Sequence, residues 1–187
     1  PGIEYAKKYD LKFTQTINLN HENELLENLK GKVDFIVVLA FAQFLGKKWL
    51  ELPRLGCFNI HTSLLPKYRG AAPIQYALLS GDTETGVSIQ KMVSKMDAGN
   101  IVLEKKLPIR NYDNISSLQT KLQFASANAL EELVSQIINN NMAEKVQDES
   151  QVSFAPEIPK EMGHIHFATD HQKTILNKLR GLTPWPG

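Results

Sequence analysis

Residues 33–41 read VDFIVVLAF, an apolar run interrupted only by Asp34. Its valines and isoleucine are strand formers, and the lack of polar alternation implies that both faces are covered. Strands of that kind belong to parallel sheets with helices packed on each side. The neighbours fit that demand. Before the run, Asn20 is placed to cap a helix with Glu22 and Glu24 in its first turn, Leu25, Leu26 and Leu29 inward, and Gly31 as its stop. After it, residues 48–52 give a turn or two of helix before Pro53, and a second buried strand starts at Cys57. Strands alternating with helices define an α/β chain.

The same reading extends outward. Residues 3–12 form an amphipathic helix and 13–17 a candidate strand. Pro73 suits the first turn of a helix carrying Ile74, Ala77, Leu78 and Leu79, closed by Gly81. Residues 86–92 alternate Val87 and Ile89 with Ser88 and Gln90, as a half-buried strand does. Residues 101–109 are a second strand, with an antiparallel pairing to the first. Residues 116–138 are a long helix with Leu118, Leu122, Ala125, Ala129, Leu133 and Ile137 on one face. Residues 147–163 are polar, carry Pro156 and Pro159, and read as an extended linker. Thr169 and Gln172 then form a capping box for a helix with Ile175, Leu176 and Leu179, closed by Gly181.

Composition removes several function classes. Lys plus Arg number 21 and Asp plus Glu 20 among 187 residues, so no global charge draws nucleic acid, and any RNA contact needs a local patch. The single cysteine, Cys57, has no disulfide partner, which points to a reducing, cytoplasmic setting. No apolar run reaches the ~18 residues of a membrane span. Gly-x-Gly-x-x-Gly and phosphate-loop signatures are absent. His164 and His166 are spaced like a metal pair, but no Cys or His cluster accompanies them, and a solvated position fits better.

The chemistry concentrates in GCFNIHTSLLPKYRGAAP, residues 56–73. Asn59 and His61 lie two apart on a strand, so both project from the same side. They sit near its carboxyl end, where ligands bind in open α/β sheets. Leu64, Leu65 and Pro66 suit a pocket wall. Lys67 and Arg69 are candidates for a polyanionic substrate, although Arg69 equally suits capping loop carbonyls. From the residues alone, Asn59 and His61 read either as a catalytic pair or as structural polar groups. Asp97, in Met96-Asp97-Ala98-Gly99, reads as a turn residue.

NIHTSLLPKYRGAAPIQ followed by GDTETGVSIQKMVSKMDAGNIV resembles the core of the folate-dependent formyltransferases. The family pattern is Asn-x-His-x-Ser-Leu-Leu-Pro with a later Asp-x-Gly. The resemblance implies a Rossmann-like formyltransferase core with a mainly parallel sheet. It makes Asn59, His61 and Asp97 catalytic: an amide for the oxyanion, an imidazole for proton transfer or for the oxyanion, and a carboxylate to orient it. It assigns Ser63, Leu64, Leu65, Pro66, Gln43 and Leu45 to 10-formyltetrahydrofolate, with no metal. Within the family the resemblance is strongest to the branch that formylates methionyl-tRNA in translation initiation. Amino-sugar nucleotides and glycinamide ribonucleotide are the alternative amines, and an inactive fragment keeping only the fold is a third reading. Thr62, Gly46 and Asn100 depart from the family's usual residues.

The family opens with a strand unit that this sequence lacks, and its tRNA-formylating branch closes with a barrel. The chain is therefore expected to be a piece of a longer protein: residues 1–146 a partial catalytic domain, 147–163 the linker, and 164–187 the start of a C-terminal domain. The tRNA partner is expected to be held largely by segments outside it. No membrane contact is expected, and a monomer is.

Overall fold

A computed structural model describes residues 2–187. Four strands form one sheet in the order β1-β2-β3-β4: β1 Ile36–Val38, β2 Cys57–His61, β3 Glu84–Lys91 and β4 Ile101–Pro108. The helices are α1 Gly2–Lys8, α2 Asn23–Leu29, α3 Lys47–Leu50, α4 Pro73–Leu79, α5 Ile115–Ile138 and α6 Gln172–Leu182. The architecture is α/β, with a Rossmann-like core.

The parallel character expected of the sheet holds for one pairing. β1 and β2 are parallel, while β2–β3 and β3–β4 are antiparallel. The connection from Lys91 to Ile101 explains the last pairing, because it is too short for the crossover of a dozen or more residues that parallel neighbours need. The antiparallel pair read from the alternation of β3 and β4 is present. β3, however, is buried on both faces rather than one: Ser88 and Gln90 are as covered as Val87 and Ile89.

The main core fills the space between sheet and α5. Phe58, Ile60, Val87 and Ile89 meet Leu118, Leu122, Ala129 and Leu133. A second cluster joins Val38, Leu45, Trp49 and Cys57 to the leucines of α2. Burial in that cluster raises the Cys57 thiol to about 11, so it stays protonated at neutral pH.

Several local expectations give way to tertiary contacts. Residues 13–17 form no strand, because their backbone finds no ladder partner, and Phe13 and Ile17 are exposed. β1 is shorter than its apolar run, since the carbonyls of Val33 and Asp34 accept from the 54–55 turn and Ala40 takes a positive φ. Asn20 does not cap α2; its side chain instead bonds the Phe44 carbonyl and the Gly46 amide, tying residues 18–20 to the loop after β1. α6 starts without a side-chain cap. It docks on α4 through Asn177, Gly181 and Leu182, leaving Leu176 and Leu179 half exposed. A side chain at Gly181 would press on Leu78, whose Cβ would lie 3.2 Å away.

Residues 145–155 do not behave as a free linker. Lys145 exchanges two backbone bonds of 2.8 Å with Ile101. Further on, Arg69 and Ser153, then Arg69 and Ala155, pair across 2.9 and 2.8 Å, and the Ala72 amide donates to the Ala155 carbonyl. This strap crosses the loop that follows β2.

Candidate active site

β2 delivers Asn59 and His61 to one face, and the antiparallel register sets Gln90 of β3 opposite Asn59. The third side of the site is the loop after β3, where Asp97 adopts a φ of +51°. A non-glycine residue held there costs about 1–3 kcal/mol and persists only if its surroundings impose it. The following Gly99 is required by close approach: a Cβ there would collide with the Lys91 carbonyl.

The Asp97 carboxylate is the hub. Oδ1 accepts from Gln90 Nε2 at 2.8 Å and from Asn59 Nδ2 at 3.3 Å, while Oδ2 accepts from the Gly70 amide at 2.9 Å. The His61 ring is buried, with Nδ1 3.8 Å from Asp97 Oδ1. Its Nε2 lies 2.8 Å from the Tyr68 carbonyl, which only accepts. That partner assigns the proton of the neutral ring to Nε2 and leaves Nδ1 unprotonated. His61 is thus oriented chiefly by a backbone carbonyl, and Asp97 faces the nitrogen that is free to gain a proton.

These groups open on a cleft of about 630 Å³. Its wall is residues 38–45, where β1 ends, including Phe41, Gln43 and Leu45. Thr62, Ala71, Met92 and Met96 are among the residues on its other sides, with Lys95 and Glu157 as charged members. Asn59, His61 and Asp97 therefore converge on one cleft, and Gln43 and Leu45 line it with them. The Gln43 side chain is spent on the Ile17 carbonyl and the Leu19 amide, so it fixes the wall's outer layer.

Ser63, Leu64, Leu65 and Pro66 are placed differently from expectation. Ser63 is fully buried, with its hydroxyl donating to the Lys67 carbonyl at 2.6 Å. The Ser63 carbonyl and the Leu65 amide both bond Ser88 Oγ. Leu64, Leu65 and Pro66 line a separate groove of about 420 Å³. This turn shapes the path to Tyr68 and Gly70 rather than the cleft wall. His164 and His166 lie apart from the cleft, and among the described residues no cluster of three or more candidate metal ligands forms.

Two groups escaped the sequence reading, Gln90 and Gln147. Gln90 is buried, donates to Asp97 and accepts from the Gly99 amide at 3.0 Å. Its signal was present: a polar residue two after Ser88 on a strand whose partner carries Asn59. Gln147 Nε2 donates to the Asp97 and Gly99 carbonyls at 2.8 and 2.7 Å. Nothing in its local sequence separates it from a solvated linker glutamine.

The sequence model of the Formyl transferase family matches residues 1–134. The methionyl-tRNA formyltransferase of Staphylococcus aureus strain MW2 is 41% identical over 186 residues, covering all of this chain and 60% of the relative. The chain belongs to the formyl transferase family. It spans about 60% of the length of the curated relatives it matches. A 4-N formyltransferase from Francisella tularensis shares the fold with a TM-score of 0.79 at 20% identity, over 98% of this chain and 72% of that one. HypX from Aquifex aeolicus, solved with tetrahydrofolic acid, gives 0.72 at 18% identity over 82% of this chain and 26% of its own.

Proposed function

We propose that the protein carrying this chain transfers the formyl group of 10-formyltetrahydrofolate to the amino group of methionyl-tRNA. The observation that carries the reading is the convergence of Asn59, His61 and Asp97 on one cleft. The identity of 41% to methionyl-tRNA formyltransferases supports this amine over an amino-sugar nucleotide, for which the support is a shared fold at 23% identity or less. The cleft falls within the ~300–1,000 Å³ usual for small-ligand sites. Its wall at residues 39–45 lies outside any helix or strand and includes Phe41 and Phe44, which suits a flat, hydrogen-bonding heterocycle.

Formyl transfer forms a bond from the amine nitrogen to the formyl carbon and breaks that carbon's bond to the donor nitrogen. One proton leaves the amine and one reaches the donor nitrogen. The bound folate supplies the formyl carbon as an electrophile. His61 Nδ1 takes the amine proton, the Asp97 carboxylate stabilises the imidazolium that results, and His61 returns that proton to the donor nitrogen as its bond to the formyl carbon breaks. Asn59 Nδ2 has two N–H groups; one is spent on Asp97, and the other is free for the oxygen that gains charge. Gln90 keeps the carboxylate in place.

The test is direct. The full-length protein is assayed for formylation with methionyl-tRNA and with a panel of amino-sugar nucleotides. Transfer to methionyl-tRNA, abolished in His61→Ala, is the expected result. Preference for a sugar amine would overturn the substrate, and transfer unaffected by His61→Ala would overturn the site.

A further inference from the structure

The amide of Gln147 reaches Asp97 from outside the 1–134 region that the family model matches. Its two N–H groups hold the carbonyls of Asp97 and Gly99, on either side of Ala98, at 2.8 and 2.7 Å. Its oxygen accepts from Arg69 Nε and Nη2 at 3.1 and 2.8 Å. Arg69 is 1% exposed, and its Nη2 also donates to Glu149 at 2.7 Å. The remaining Nη1 is buried with no hydrogen-bond partner in the protein. A buried guanidinium with one nitrogen unpaired is costly even beside the Glu149 ion pair, and packing alone does not call for it.

The network closes on itself. The backbone of Arg69 is stitched to Ser153 and Ala155 of the strap, and the next residue, Gly70, donates its amide to Asp97 Oδ2. Asp97 is thus gripped by its carbonyl through Gln147 and by its carboxylate through Gly70, and both grips run to Arg69. This is the surrounding structure that its φ of +51° demands.

We propose that Gln147, backed by Arg69, is a positioning residue for the transfer: it holds the 95–99 loop so that the Asp97 carboxylate stays beside His61 and Asn59. The proposal rests on the formyl-transfer reading for its kinetic consequence. The strap is then part of the active site, and the polar segment after α5 serves placement, not reach.

The experiment uses the full-length protein with Gln147→Leu, and with Leu133→Ala in α5 as a control that loses core packing but removes none of the hydrogen bonds that hold the loop. In Gln147→Leu, kcat should fall about 10²-fold, the scale of a misplacement near 1 Å, while the KM for the folate donor changes little. Hydrogen exchange of residues 95–99 should speed up, with β2 and α5 unchanged. Leu133→Ala should lose thermal stability but keep its kcat below the transition. Unchanged exchange in the loop, or an unchanged kcat in an active protein, overturns the proposal. So does a kcat loss that tracks stability equally in both variants. If the wild type transfers no formyl group, the functional reading fails, and the exchange measurement alone decides whether Gln147 clamps the loop.

Discussion

Two carboxylates, one fully buried and one at the edge of the cleft, divide this molecule's chemistry between them. Asp113, at the start of α5, takes both its oxygens to the Lys121 ammonium, at 2.8 and 2.7 Å, and adds the Ser117 hydroxyl and the Arg110 amide. Burial pushes its pKa up, but the Lys121, Arg110 and Ser117 donors together hold it below the usual value. Asp97 takes neutral donors, the Asn59 and Gln90 amides and the Gly70 backbone, and faces an imidazole. A carboxylate neutralised by a permanent cation fastens a helix. One surrounded by neutral donors keeps its field for a charge that arrives during a reaction. Both are little exposed, so on the proposed reading it is the identity of the donors that distinguishes the site.

The largest effect that sharpens this contrast is catalytic. Asp97→Asn keeps the side-chain shape and removes the charge, and should lower kcat of the full-length protein by about 10²–10⁴-fold, the range of general acid–base contributions. A normal kcat would reduce Asp97 to a turn residue and end the comparison. Asn59→Ala comes next, with a loss of about 10²–10³-fold in kcat and little change in folate binding, as for removal of one oxyanion donor. A raised KM with full kcat would make Asn59 a binding group instead. On the other side, Lys121→Met should cost about 1–3 kcal/mol of unfolding free energy by leaving Asp113 short of a donor, with kcat untouched. Denaturant melts alongside steady-state assays separate the two outcomes.

How far these roles could be read in the sequence depends on the range of the contact involved. Asn59 and His61 were legible because strand geometry alone puts i and i+2 on one side. The face of α5 was legible for the same reason, as Leu118, Leu122, Ala125, Ala129 and Leu133 are buried on one stripe. The pairing of Asp97 with His61 was not, since 36 residues separate them and only the β2–β3 register closes the gap. Gln147 was illegible in principle, because a polar residue before prolines has the chemistry of a solvated linker until a carbonyl appears opposite it. Leu176 and Leu179 erred the other way. Their apolar spacing suggested an inward face, yet both are half exposed, while Asn177, Gly181 and Leu182 take the face that docks on α4.

The smallest effect expected is in acid. The folded Asp113 has a pKa below its unfolded value of ~3.9, so its charge stabilises the fold fully above that value. The contribution is lost as pH falls through it toward the folded pKa. Wild type and Asp113→Asn should therefore differ in stability at pH 7, and the difference should start to narrow below about pH 4, since a protonated Asp113 resembles the amide. Lys121→Met should close part of that gap already at neutral pH, because the ammonium is among the groups that hold the pKa down. Urea melts of the three proteins between pH 7 and pH 3 measure this. A difference that persists unchanged into acid would mean that Asp113 acts through the Ser117 and Arg110 hydrogen bonds alone, with no contribution from its charge.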